Sequence, residues 1–131
     1  MASLERWSPY MLSVLRIMVA LLFLEHGLAK LIGFPPPPAP APAFLSLLWI
    51  QGVIEAVGGV LLVLGALTRP VAFILAGDMA VAYFIAHAPR SFFPLLNQGD
   101  AAVLYCFIFL YIFFAGGGPS SVDRALGRSS S

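Results

Sequence analysis

Four stretches of the chain are almost continuously apolar, and each is about as long as a helix that crosses a lipid bilayer. They cover residues 9–32, 44–67, 70–88 and 100–115, and a glycine- and serine-rich tail, 116–131, follows them. A spanning helix needs about 20 apolar residues, and an open sheet cannot satisfy its edges in lipid. The pattern therefore predicts an all-α fold, an integral membrane bundle of four transmembrane helices. The whole chain, 1–131, is expected to form one domain.

The composition agrees with a membrane protein and excludes several other classes. Hydrophobic residues make up 60% of the chain and charged residues 10%, whereas a soluble domain has about 25% charged residues. A net charge of +1 gives no attraction to nucleic acid. The single cysteine excludes an intramolecular disulfide and a multi-cysteine metal site. We therefore expect the lipid bilayer as a partner, no metal and no intrinsic cofactor.

The basic residues predict how the bundle is oriented. Loops on the cytoplasmic side of a membrane carry an excess of lysine and arginine. With four crossings, both termini and the turn between the second and third stretches share one side. That side holds Arg6, Arg69, Arg124 and Arg128, and the other side holds Lys30 and Arg90. The sequence thus predicts a multi-pass protein of the inner cell membrane with both termini cytoplasmic.

Two connecting segments have a recognisable composition. Residues 35–42 are prolines and alanines, a composition that favours polyproline II, so they predict a stiff connection outside the membrane or a docking surface for a partner. In the tail, residues 120–123 resemble the start of a short surface helix that continues to Arg128.

Ionisable side chains inside the apolar stretches are the candidate functional residues. They include Arg16, Glu25, Lys30, Glu55 and Asp78. A lone charge at the centre of the bilayer costs about 2.5–3.5 kcal/mol, so these groups must form pairs or face a polar cavity. Counted along the helices, they form a ladder of polar groups across the membrane.

Helical spacing decides which of these groups can meet. At about 100° per residue, Arg16, His26 and Lys30 share one face of the first helix. Gln51 lies one turn from Glu55 on the second. His87 is nine residues after Asp78, so a straight helix would place it on the opposite side. His87 joins the cluster only if its helix ends before it, which Pro89 favours.

Two interpretations of the buried charges stay open. In the first, the charges form static ion pairs, Arg16 with Asp78 and Lys30 with Asp100. In the second, Glu55, His26 and Asp78 handle protons, because no cation is evident at the depth of Glu55.

Three segments together resemble one known family. They are Leu22-Phe23-Leu24-Glu25-His26-Gly27-Leu28-Ala29-Lys30-Leu31, Ile54-Glu55-Ala56-Val57-Gly58-Gly59 and Gln98-Gly99-Asp100. In this order they are similar to the signatures of the DoxX family of small four-span membrane proteins. That family is associated with quinone-linked oxidoreductase systems and oxidative stress, so the resemblance implies a redox-linked membrane component. By this resemblance, the positions expected to matter are Arg16, His26, Lys30, Glu55, His87 and Asp100.

The function predicted from these observations is that of a quinone-linked redox subunit. A quinone pocket would be lined by His26, Gln51, Glu55 and His87, with aromatic rings of the fourth helix around it. The chain has no redox centre of its own, so its electrons would come from a partner protein, and so small a bundle is expected to form a homo-oligomer. Two alternatives are a carrier for a small solute or proton and a structural or assembly subunit without its own activity.

Overall fold

The regular elements of the structure follow the apolar stretches of the sequence. The computed structural model describes residues 2–37 and 40–127. Within these residues every regular element is helical. In chain order they are α1 (Ala2–Glu5), α2 (Ser8–Ile32), α3 (Leu47–Leu64), α4 (Thr68–Ala82) continued by a π-helical turn (Tyr83–His87), α5 (Pro94–Asn97), α6 (Asp100–Ala115) and α7 (Val122–Ala125).

Three of the helices are long and apolar enough to cross a membrane. They are α2, α3, and α4 together with its π-helical turn, with 25, 18 and 20 residues. Helix α6 is also apolar but has 16 residues, a length of about 24 Å at 1.5 Å per residue. By length and composition, three or four helices can therefore span a bilayer core of about 30 Å.

Local capping makes α3 shorter than the apolar stretch that predicted it. Ser46 Oγ accepts a hydrogen bond from the Trp49 N–H at 3.2 Å, so the helix begins at Leu47 rather than at residue 44. Gly65 has a left-handed φ of 71°, which ends the helix at Leu64 rather than at residue 67. Apolar composition marks the segment that is compatible with lipid, whereas capping marks where the helix ends.

Helix α4 begins earlier than predicted because a side chain from the tail caps it. The Asp123 carboxylate accepts hydrogen bonds from the Leu67 N–H at 2.9 Å and from the Thr68 N–H at 2.8 Å. A carboxylate at this position satisfies free backbone donors and interacts favourably with the helix dipole. The helix therefore starts at Thr68 instead of residue 70.

The tail forms a short helix where its sequence predicted one. Ser121 Oγ accepts a hydrogen bond from the Arg124 N–H at 3.2 Å and so caps α7. The helix ends at Ala125 and a turn with a left-handed φ of 77° at Gly127 follows, so it stops short of the expected continuation to Arg128, a residue that lies outside the described residues. Pro38 and Ala39 also lie outside them, in the proline-rich connection, of which the structure describes the non-helical flanks 33–37 and 40–46.

The bundle consists of two closely packed helix pairs. Helix α2 packs along α3 and α4 packs along α6, whereas α3 and α4 contact each other much less extensively. The Phe23 and Phe109 rings join the two pairs edge to face, with 5.0 Å between their centroids. The largest apolar side chains of the core are Phe23, Leu62, Leu75, Phe109 and Ile112.

The tail closes one end of the bundle. Ser13 Oγ near the start of α2 donates a hydrogen bond to the Gly117 carbonyl at 3.0 Å. The Asp123 N–H donates to the Gly65 carbonyl after α3, also at 3.0 Å. We call this end the tail end, and we call the opposite end, where the proline-rich connection and residues 88–99 lie, the loop end.

Glycines allow α2 and α3 to approach each other closely. A Cβ atom built at Gly27 would lie 2.5 Å from the backbone nitrogen of Ala56, and one built at Gly52 would lie 2.9 Å from Lys30 Cβ. Backbone atoms cannot move aside as a flexible side chain can. Gly77 on α4 differs, because a Cβ there would have no atom within 4 Å.

We expect Gly27→Ala and Gly77→Ala to change stability in opposite directions. Gly27→Ala forces two backbones apart and should lower the free energy of unfolding by about 1–3 kcal/mol. Gly77→Ala, the matched control, should raise it by up to about 1 kcal/mol because alanine is the better helix former. Thermal unfolding in detergent measures both. Equal midpoints for the two variants would contradict the close approach of α2 and α3.

Candidate functional site

An ion pair joins α2 and α3 in the loop-end half of the bundle. Lys30 Nζ lies 2.5 Å from Glu55 Oε1 and donates a second hydrogen bond to Gln51 Oε1 at 3.1 Å. The Glu55 side chain is 2% exposed and the Lys30 side chain 25%. Lysine is therefore the cation that the sequence did not reveal at the depth of Glu55. Its stem lies over Gly52, which lets the ammonium group reach the carboxylate.

This arrangement differs from the ion pair expected for Lys30. The sequence placed Asp100 near Lys30, at the end of the bundle where the two side chains could meet. In the structure Asp100 is exposed in the first turn of α6, where a carboxylate is favoured by the helix dipole. Lys30 instead pairs with Glu55, which is buried and would otherwise lack a counter-charge.

A polar cavity of about 370 Å³ opens beside the ion pair. It brings together all four side chains that the sequence proposed for a quinone pocket, which come from α2, α3 and the π-helical turn. We call this space the polar cavity. Its polar lining consists of His26, Lys30, Gln51, Glu55, His87, Gln98 and Tyr105, and Phe23 and Met79 are among its apolar residues.

The π-helical turn is what brings His87 to the polar cavity. The sequence required α4 to end before His87, because an α-helix would turn this residue away. The structure instead widens the last turn, Tyr83–His87, into a π-helix. The extra residue in such a turn rotates the residues after it by about 100°. His87 thereby lines the cavity, and its Nδ1 lies 3.0 Å from the carbonyl oxygen of Asn97.

Both histidines of the cavity are held in the same way. His26 Nδ1 lies 3.0 Å from the carbonyl oxygen of Leu22, and His87 Nδ1 contacts the carbonyl oxygen of Asn97. A carbonyl oxygen accepts hydrogen bonds, so Nδ1 carries the proton in each ring. Nε2 of the neutral imidazole is then an acceptor. The cavity therefore offers two imidazole acceptors and the Glu55 carboxylate to a ligand with hydrogen-bond donors.

Asp78 lies near the polar cavity and not beside Arg16. Its carboxyl group is within electrostatic range of Glu55 and Lys30, and Gln51 is next to it. Its Oδ2 atom is buried and has no hydrogen-bond partner among the residues that the structure describes. The expected Arg16–Asp78 pair is not formed in this part of the chain, because Arg16 is bound elsewhere.

Arg16 lies in the tail-end half of the bundle and binds backbone carbonyl groups. It is 1% exposed. Its Nε donates to the Leu62 carbonyl at 2.8 Å, and Nη2 donates to Ser120 at 2.8 Å and to Val63 at 3.4 Å. Nη1 donates to the Gly117 carbonyl. The guanidinium thus ties the end of α3 to the tail, which is a structural role.

An apolar layer separates Arg16 from the polar cavity. On each long helix, the buried residues that lie between Arg16 and the polar cavity along the bundle axis are apolar. They are Val19, Ala20, Phe23, Gly58, Gly59, Ala72, Leu75, Ala76, Phe109 and Ile112. The structure therefore has two polar clusters where the sequence predicted a ladder of polar groups across the membrane.

Sequence reasoning missed one residue that shapes the cavity, Asn97, and it expected aromatic rings of α6 there without singling out Tyr105. Asn97 is fully buried, and its side chain binds Tyr83 Oη at 3.1 Å, the Ser91 carbonyl at 2.8 Å and the Gly99 N–H at 2.8 Å. It thereby holds the carbonyl that orients His87. Tyr105 packs edge-on to the His26 ring, 5.9 Å between centroids. An asparagine at the end of a four-residue helix gives no periodic signal, and Tyr105 is one of several similar aromatic residues on α6.

Comparison with known proteins finds two matches by sequence. The model of the family described as DoxX matches residues 11–88, a range that includes α3, α4 and the ion pair. An uncharacterised protein of Haemophilus influenzae is 44% identical over 129 residues, which cover 95% of this chain and 96% of the relative. No solved structure matches the chain significantly.

Proposed function

Because the chain belongs to the DoxX family of membrane proteins, we propose that it is a quinone-linked redox subunit that holds the head group of a quinol in the polar cavity. The observation that carries this proposal is that one cavity contains His26, Gln51, Glu55 and His87 together. These side chains come from three segments that are far apart in the sequence.

The cavity suits a quinol head group in size and in hydrogen bonding. Its volume of about 370 Å³ lies within the range of about 300–1,000 Å³ that is usual for small-molecule sites. A quinol presents hydroxyl donors, and His26 Nε2 and His87 Nε2 would accept from them. The rings of Phe23 and Tyr105 provide flat walls for an aromatic ligand.

When bound, a quinol would supply the redox chemistry, since its oxidation releases electrons and protons. The histidines would hold the hydroxyl groups and accept their protons. Glu55 would take a proton next, and Lys30, one quarter exposed, would balance the charge of its carboxylate when that proton leaves. The electrons would leave to a partner protein, the reverse of the direction expected from the sequence, because the acceptors of the polar cavity suit the hydroxyl donors of a quinol. In this proposal Asp78, the third proton-handling candidate, lies beside Gln51 and so next to the residues that accept the protons.

The arrangement of basic residues supports the proposed orientation. Arg6, Arg69 and Arg124 belong to segments at the tail end, where α2 begins, α4 begins and α7 lies. By the positive-inside rule, the tail end and both termini would be cytoplasmic and the polar cavity would lie nearer the outer surface. The apolar layer between the clusters favours a redox subunit over a carrier. The expected homo-oligomer stays a prediction.

We expect quinol binding to depend on the acceptors of the cavity. Glu55→Gln and His87→Gln should each weaken binding of a short-chain quinol by about tenfold or more. Glutamine at position 55 would present an N–H donor in place of one carboxylate oxygen, and glutamine at position 87 would not reproduce the acceptor that the imidazole holds in a fixed position. His87→Gln leaves the Lys30–Glu55 pair intact. Isothermal titration calorimetry on purified protein in detergent measures the affinity.

The matched control is Glu25→Gln. Glu25 is also a membrane-helix carboxylate, but it is exposed on α2 and does not line the polar cavity. Its substitution should leave the affinity unchanged. Wild-type affinity in both Glu55→Gln and His87→Gln would show that the polar cavity does not bind quinol. The ion pair would then have the structural role expected of an assembly subunit.

A further inference from the structure

A groove on the side of the bundle lies between α3 and α4. It has a volume of about 290 Å³ and is lined by apolar residues except for Gln51 and Asp78. Ile74 and Ile85 on its rim are 58% and 57% exposed, so the groove opens outward, toward lipid in a membrane. We call it the α3–α4 groove. It exists because α3 and α4 pack against other partners more than against each other.

The α3–α4 groove adjoins the polar cavity. Four residues line both spaces, namely Leu48, Gln51, Ala82 and Ala86. Two of these four shared residues are alanines, so little side-chain volume separates the two spaces there. The two polar residues of the groove, Gln51 and Asp78, lie next to each other at this junction. The groove and the cavity thus lie side by side, and the cavity contains the Lys30–Glu55 pair.

The fold does not require a glycine at position 77, and the lack of a side chain there widens the groove. A Cβ at Gly77 would contact no atom within 4 Å, so no neighbouring helix requires a glycine there. Its backbone is helical, so no unusual φ requires it either. Glycine in a helix costs about 1 kcal/mol relative to alanine. What the missing side chain provides is free space in the groove beside Asp78.

We propose that the α3–α4 groove holds the isoprenoid tail of the quinol whose head group occupies the polar cavity, and that this ligand enters from the bilayer between α3 and α4. The proposal rests on the proposed function. A long apolar tail cannot fit in the polar cavity with the head group. The α3–α4 groove shares four lining residues with the cavity, whereas a second apolar groove, between α4 and α6, shares two, Met79 and Ala102. The ligand class is therefore an isoprenoid quinol and not a water-soluble hydroquinone.

The shape and charge of the groove argue against other occupants. A helix of a second copy has a diameter of about 10 Å, which a space of this volume cannot hold. A phospholipid would bring an anionic phosphate toward Glu55 and Asp78. A quinol instead brings hydroxyl donors, and the buried Asp78 Oδ2, which has no partner among the described residues, accepts from one of them as the head group passes.

The test compares two quinols with the same head group, one with a long isoprenoid tail and one without a tail, bound to the full chain in lipid nanodiscs. Gly77→Phe places an aromatic ring at a groove-lining position where a Cβ atom has no neighbour within 4 Å. It should weaken binding of the tailed quinol by about tenfold or more and change binding of the tail-less quinol by less than about twofold. Partitioning into the nanodisc cancels in the variant-to-wild-type ratio at each tail length.

Two further variants serve as controls. Gly77→Ala adds one carbon and should bind both quinols like the wild type. Val57→Phe places the same aromatic ring on an exposed position of α3 that lines neither the groove nor the polar cavity, and it should also bind both normally. Thermal unfolding of each variant shows that it is folded.

The outcomes separate this proposal from the proposed function. Suppose that the wild type binds both quinols and that Gly77→Phe weakens the binding of neither, or of both equally. The groove then does not hold the tail, although the proposed head-group site is not contradicted. If mass spectrometry shows that Gly77→Phe loses a phospholipid while its quinol ratio is unchanged, the groove is a lipid site and the proposal is overturned. If wild type binds neither quinol, the proposed function itself fails.

Discussion

Replacing Arg16 with methionine is expected to lower the free energy of unfolding by about 3–5 kcal/mol, one of the two largest effects predicted for this protein. The guanidinium is almost fully buried and donates to the carbonyl groups of Leu62, Val63, Gly117 and Ser120. Methionine fills much of the volume but donates nothing. It would leave these carbonyls unsatisfied and release the tail from α3.

The loss should appear as a lower thermal midpoint in detergent and as faster proteolysis of the tail. Arg16→Lys keeps the charge, but one ammonium group cannot reach carbonyls on both sides, so it should also be destabilised. Arg6→Met is the matched control, because Arg6 is exposed. A wild-type midpoint in Arg16→Met would show that the buried carbonyl network contributes nothing to stability.

The second large effect is expected at the Lys30–Glu55 pair, and it should be asymmetric. Lys30→Met leaves a buried carboxylate without a counter-charge and should cost about 3–5 kcal/mol. Glu55→Met leaves the partly exposed Lys30, which can turn toward water, and should cost about 1–3 kcal/mol. The double variant replaces both charges by apolar groups, so it should recover most of the loss caused by Lys30→Met.

This cycle also separates stability from function. Thermal unfolding of the four proteins gives the coupling between the two side chains, and titration with a quinol gives their binding. The account predicts that the double variant is stable but binds quinol weakly. A double variant that binds like wild type would assign the pair to the stability of the bundle alone. Losses in the single variants that simply add would show that the two groups do not interact.

The helices themselves were predictable because their signal is local. Runs of apolar residues predict α2, α3, α4 and α6. The helix ends that differ most from prediction are those of α3 and the start of α4, where caps are involved, and the end of α4, which becomes a π-helical turn. The Ser46 cap is a local feature, but it lies inside the apolar stretch 44–67, so composition alone does not mark it as the start of the helix. The cap from Asp123 is not local, because it joins the tail to the start of α4 across more than 50 residues. A pattern along the chain carries no information about such a contact.

The site was predictable by residue type but not by pairing. Charges and histidines in an apolar helix mark functional positions, and His26, Gln51, Glu55 and His87 do line one cavity. The pairing of the charged side chains depends on how closely two helices approach each other. It also depends on where a π-helical turn rotates the residues that follow it. The Lys30–Glu55 pair depends on glycine contacts between α2 and α3, and the position of His87 depends on a π-helical turn. Neither is encoded in a helical wheel.

The central claim, that the polar cavity binds a quinol, is tested most directly by identifying what the protein carries from its membrane. Protein extracted gently in detergent would be examined by an oxidised-minus-reduced ultraviolet–visible spectrum and by mass spectrometry of its co-purified lipids. The account predicts isoprenoid quinone in stoichiometric amount in the wild type and in Glu25→Gln, and its loss in Glu55→Gln. Wild-type protein without quinone, or Glu55→Gln that retains it, would contradict the claim.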